Sequence, residues 1–84
     1  MTAMPTIALR ADLNAEDDQG RWWTLLTDAV DPSEIVPGAV VVAGTARFWS
    51  VVRIDQVDTD GQVHFVAVGA DDPAVAAVLS RGAA

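Results

Sequence analysis

Between Pro37 and Val68 the chain reads PGAVVVAGTARFWSVVRIDQVDTDGQVHFVAV. Valine, isoleucine and aromatic residues crowd this stretch, and turn residues interrupt it at Pro37-Gly38, Gly44-Thr45 and Asp60-Gly61. β-Branched runs cut by such punctuation form strands rather than helices. The stretch therefore predicts three consecutive antiparallel strands: Val40–Val42, Phe48–Val57 and Gln62–Val68. An Asp-Gly pair is strong hairpin chemistry, so Asp60-Gly61 joins the last two. Alternation fails within the longest strand, because Phe48, Val52 and Ile54 share one parity while Trp49, Val51 and Val57 share the other. A β-bulge at Asp55-Gln56 would return Val57 to the face of Ile54 and bend the strand.

The flanking segments supply what this meander needs as cover. Ile7 and Leu9 are two apart, which predicts a half-buried strand at Thr6–Arg10. Residues Asn14 to Gly20 carry Glu16, Asp17 and Asp18 in a row, the pattern of a hydrated surface loop. Arg21–Thr27 predicts another strand, on which Trp22 and Trp23 must point to opposite faces. Trp23 is expected inside. Asp31-Pro32-Ser33-Glu34 predicts a capped turn, after which Ile35 and Val36 plug one end of the core. Pro73–Arg81 is the one convincing helix, with Asp72 as N-cap and Val75, Val78 and Leu79 as its apolar stripe. Arg81 complements its negative end and Gly82 terminates it.

Five short strands, one of them bent, and a terminal helix predict a mainly β fold. The expected architecture is a small SH3-like or OB-like antiparallel barrel, with residues 1–84 as a single domain and a C-terminal helix at 73–81. The P-G-x-V-V-V opening, the long strand and the D-G hairpin resemble the core of SH3-like barrels in a generic way. At 84 residues, 51% of them hydrophobic, one core forms with a thin margin.

Charge limits the partners. Twelve acids stand against five arginines, with no lysine, for a net charge of −7. Phosphate backbones and anionic lipid surfaces recruit clustered cations, so neither nucleic acid nor membrane is an expected partner. With no cysteine, disulfides and thiolate metal sites are excluded. The opening Met-Thr-Ala-Met-Pro has no leader pattern and no run is long enough to cross a bilayer, so a cytoplasmic location is expected. Arginine without lysine, amid abundant Ala, Val, Asp and Gly, is a composition expected of GC-rich bacterial or phage coding sequence.

No chemical constellation emerges. Asp58-Thr59-Asp60-Gly61 imitates the middle of a calcium loop, but the first ligand position falls on Gln56 and the twelfth on Ala67. A hairpin turn accounts for the same residues. His64, the only histidine, lies mid-strand and is expected on a solvated or edge face, without a catalytic partner. Ser33, Ser50 and Ser80 carry no nucleophile signature. Asp12, Glu16, Asp17 and Asp18 are expected to be solvated rather than metal-binding. No cofactor and no enzymatic activity are expected.

Aromatic residues carry the remaining signal. In Trp22-Trp23 and Phe48-Trp49 one ring of each pair faces away from whatever its neighbour faces, and tryptophan beside arginine is common at binding hot spots. The expected interaction surface is Trp22, Trp49, Arg21 and Arg47; the bland competitor is that the helix and N-terminal segment cover these rings. The leading expectation is a non-catalytic protein-interaction module that binds a protein partner or itself, most simply as a homodimer. The alternative is an acidic mimic that occupies the basic groove of a nucleic-acid-binding protein.

Overall fold

The computed structural model describes residues 6–82, with side chains through Ser80. The strands are β1 (Leu9–Arg10), β2 (Trp22–Leu25), β3 (Val40–Gly44), β4 (Trp49–Val57) and β5 (Gln62–Ala67), followed by the helix α1 (Pro73–Gly82). Two 3-10 turns, Leu26–Asp28 and Pro32–Glu34, link β2 to β3. All five strands form one sheet in the order β1-β3-β4-β5-β2. The expected meander is its centre, since β4 pairs antiparallel with both β3 and β5.

The sheet curls until its outer strands approach each other. Thr24 on β2 donates its hydroxyl to the Arg10 carbonyl on β1 at 3.0 Å. The Val30 N–H donates to the Ala8 carbonyl at 3.0 Å, and Leu9 bridges Ala29. The result is a nearly closed five-strand barrel with one helix, as expected of a small SH3-like or OB-like fold. One pairing differs: β1 runs parallel to β3, so the sheet is mixed rather than wholly antiparallel. A long excursion through β2 and both 3-10 turns separates β1 from β3, and a connection of that length permits parallel pairing. The first strand is also shorter than Thr6–Arg10, and β2 gives way to 3-10 geometry at Leu26.

Strand alternation divides the apolar residues between two layers. Leu9, Ala43, Val52, Ile54, Val63 and Phe65 fill the barrel, with Trp22, Val41 and Val57 packed against them. Val42 and Val51, on the outside of β3 and β4, are buried together with Val78 of α1, and Trp49, Val75 and Leu79 pack around them. Burying each valine, leucine, isoleucine or phenylalanine among them contributes about 1.5–3 kcal/mol relative to exposure. The bulge lies where the broken alternation predicts it. Pairing passes from Ile54–Phe65 directly to Gln56–His64, leaving Asp55 as the extra residue and placing Val57 opposite Val63.

Local chemistry sets the ends. The Asp72 carboxylate accepts the Ala74 N–H at 2.9 Å and so caps α1, with Pro73 as its first residue. Asp31 accepts the Ser33 N–H at 3.1 Å and caps the second 3-10 turn. Ile35 is buried as expected, whereas Val36 is exposed, because the single turn carries only one of the pair toward the core. The expectations for residues 1–5, for the Arg81 side chain and for Gly82 as terminator lie outside the described residues and side chains.

Candidate functional site

A cleft of about 850 Å³ lies between β1, the β3–β4 turn and the segment after β2, at one end of the barrel. Its walls include Ile7, Leu13, Val30 and Phe48 on the apolar side and Arg10 and Asp28 on the polar side. Phe48 is 56% exposed and Val30 is 72% exposed. The tight turn that presents Phe48 depends on Gly44, whose φ is +127°. Thr45 and Phe48 close the turn, the Thr45 N–H donating to the Phe48 carbonyl at 2.9 Å and the Phe48 N–H donating back at 3.2 Å.

Cations gather at the same end. Among the described side chains, Arg21 pairs with Asp17 and Asp55, and Arg53 pairs with Asp72 at 3.4 Å. Arg10, in the cleft wall, and Arg47, beside Phe48 on the turn, make no ion pair among the described residues. Two guanidinium groups without an ion pair among the described residues thus belong to the wall of this cleft and to the turn that carries Phe48.

A second cluster lies on the outer face of β2 and β5. His64 is buried there rather than solvated, correcting the sequence expectation: strand parity turns it outward, and the acidic loop then folds over it. Its Nδ1 lies 2.8 Å from Asp17 Oδ2 and its Nε2 lies 2.8 Å from Asp58 Oδ2. Asp17 is correspondingly a bound residue and not a hydrated one. Its Oδ1 accepts the backbone N–H of Gln19 at 2.8 Å and of Arg21 at 2.9 Å, and its Oδ2 also accepts Arg21 Nε at 2.9 Å. Partial burial pushes the Asp17 pKa up, but the Arg21 and Gln19 backbone donors, with His64 and the guanidinium, outweigh it and hold the group at about 2. The His64 ring, and after it the Gln56 amide, hold Asp58 below its ordinary value. The bulge completes the network by presenting Asp55 and Gln56 to Arg21 Nη1, at 2.6 and 3.4 Å.

The four residues expected to form one interaction surface are dispersed. Trp22 packs inward on Phe65, ring centroids 6.1 Å apart and tilted by 54°, so Trp22 rather than Trp23 is the ring on the core. Trp23 pairs with His64 across the strands and shares its outer face. Trp49 packs with the apolar layer beneath α1. Arg21 is held in ion pairs, and only Arg47 is exposed. The outer face of β2 and the apolar stripe of α1 are thus covered at least in part by the chain itself.

Sequence reasoning missed Phe48 as the exposed member of its pair, although Gly44 close before it marks a tight turn. It also missed Asp58–His64, which the hairpin brings together. No helix among the described residues is long and apolar enough to cross a membrane, and no three or more of their His, Asp and Glu side chains are arranged so that they could hold a metal ion. Compared with known protein families, curated proteins and solved structures, the chain matches none.

Proposed function

We propose that this protein is a non-catalytic interaction module whose partner surface is the cleft at the Phe48 end of the barrel. The observation that carries the reading is Phe48, 56% exposed above a cleft of about 850 Å³ that also holds Val30. Exposing a phenylalanine and a valine side by side costs stability that binding recovers, and aromatic anchors seated in pockets dominate interface energetics. Arg10 and Arg47 add specificity for a carboxylate next to the partner's apolar side chain, because guanidinium binds carboxylate in a planar fork. The preferred partner is therefore a protein segment with a large apolar residue beside Asp or Glu.

Selection from a random peptide library tests the proposal. The wild type should enrich peptides with an apolar residue adjacent to an acid, and Phe48→Ser should enrich none while keeping its melting temperature. Enrichment that survives Phe48→Ser overturns it. Salt separates the reading from acidic mimicry, because apolar anchoring changes little between 50 and 200 mM salt, whereas charge mimicry weakens steeply. Light scattering with the same variant shows whether the partner is a second copy of this chain.

A further inference from the structure

The cluster around His64 holds chemistry that the cleft does not use. A neutral imidazole has one N–H and one lone pair, so it donates to a single acceptor. Here both ring nitrogens face carboxylate oxygens at 2.8 Å. Both contacts are hydrogen bonds only when the ring carries two N–H groups. With one, a lone pair faces a carboxylate.

The two carboxylates are not equivalent. Asp17 is 12% exposed and receives four donors, two on each oxygen, which uses its full acceptor capacity. It is anchored by backbone groups of its own loop and cannot move away from the ring without releasing them. Asp58 is 30% exposed, receives the ring on Oδ2 and the Gln56 amide on Oδ1, and reaches water. When the ring has a single N–H, water compensates Asp58 and nothing compensates Asp17.

We propose that His64 is a proton-operated strap between the barrel wall and the β4–β5 turn: its Nδ1–H bond to Asp17 is permanent, and its Nε2–H bond to Asp58 forms only on the protonated ring. The step moves one proton between Nε2 and solvent and breaks no other bond. The charges facing the ring are Asp17 and, beyond it, Glu16 and Asp18 from the loop; Arg21 from the start of β2; and Asp55 and Asp58 from β4 and its turn. Arg21 is already shared between Asp17 and Asp55, so its single charge offsets only one of those two and Asp58 is left to the ring. The strap therefore closes as the solution becomes more acidic and opens as it becomes more alkaline, regulating the freedom of the turn at residues 58–62.

Nitrogen NMR of the wild-type ring from pH 5 to 9 tests this directly, with the carboxyl carbons of Asp17 and Asp58 followed in parallel. The expected result is a neutral ring protonated on Nδ1, with the Asp58 carboxyl signal following the ring transition and the Asp17 signal staying still. A neutral ring protonated on Nε2, or an Asp17 signal that follows instead, overturns the proposal. Asp58→Asn supplies a second readout. The wild type should lose about tenfold in folding equilibrium constant relative to this variant as the ring deprotonates, the worth of one hydrogen bond to a charged group. Parallel stability curves for the two proteins across that range would also overturn it.

Discussion

Asp17 and His64 stand 47 positions apart in the chain, yet Asp17 Oδ2 lies 2.8 Å from the His64 ring. The contact ties the acidic loop to the outer face of β5. It also explains how three consecutive acids tolerate one another, because the middle one is held by the ring and paired with a guanidinium while Glu16 and Asp18 stay exposed. An Asx turn at Asp17 gives the loop its shape, with Gly20 at φ +76° completing it.

Acid should dissolve this arrangement. Asp17 sits at a pKa of about 2, below its ordinary 3.8. A carboxyl whose pKa is depressed by folding contributes stability above its unfolded value, and that contribution disappears as pH falls through the folded value. Asp17→Asn keeps an acceptor but removes the charge. The gap in urea midpoint between wild type and variant should be full above about pH 4 and should close by about pH 2. A gap that stays constant over that range would sink the assignment.

Gly44 is the second point of sensitivity. At φ +127°, a Cβ on this residue would collide with the Phe48 carbonyl and approach Trp49 Cα to 2.7 Å. Both obstacles are backbone and cannot rotate away. Gly44→Ala should therefore cost about 3 kcal/mol, from backbone strain and overpacking together. Gly38, at φ +91°, has open space where its Cβ would go, so Gly38→Ala should cost only about 1 kcal/mol. Equal urea midpoints for the two variants would show that the turn accommodates a side chain.

The positions that sequence disclosed are those governed by local rules. The Asp31 and Asp72 caps, the Gly61 hairpin and the Asp55 bulge follow from spacing within a few residues, and each is present. The bulge was legible because Val57 broke parity with Ile54. What stayed hidden depends on distant parts of the chain. The Trp22-Trp23 pair announces that one ring faces inward, but the choice rests on cross-strand register, which sets Trp22 against Phe65 and Trp23 against His64. The parallel β1–β3 pair and the Asp17–His64 contact likewise join segments whose local patterns do not mention each other.

Helix docking gives an ordering that residue size alone reverses. Val78 is buried between α1 and the outer face of β3 and β4, whereas Leu79 is only half-buried. Val78→Ala should cost about 2 kcal/mol, the loss of two buried methyl groups with a residual cavity. Leu79→Ala, although it removes more carbon, should cost no more than that. A clearly larger loss for Leu79→Ala in urea unfolding would mean that α1 is rotated about its axis from the packing described.

Nucleic acid should not bind, for a reason more specific than net charge. Association with a duplex draws its strength from counterions that free Lys and Arg side chains displace. Five arginines supply every cation of this chain's basic residues, and two of them, Arg21 and Arg53, are engaged by Asp17, Asp55 and Asp72. Breaking those pairs to reach phosphate would leave the carboxylates uncompensated. Arg10 and Arg47 remain among the described side chains, and Arg81 lies outside them; three contacts correspond to a salt slope of about −2.7, shallower than the slopes of proteins making many phosphate contacts. Asp12, flanking Arg10's strand, and Asp28 in the same cleft oppose even these. Gel-shift titrations with duplex and single-stranded DNA near 150 mM salt should show no complex at micromolar protein. A complex that forms there and weakens with salt along a slope steeper than about −3 would require cations this arrangement does not provide, and would overturn the charge argument.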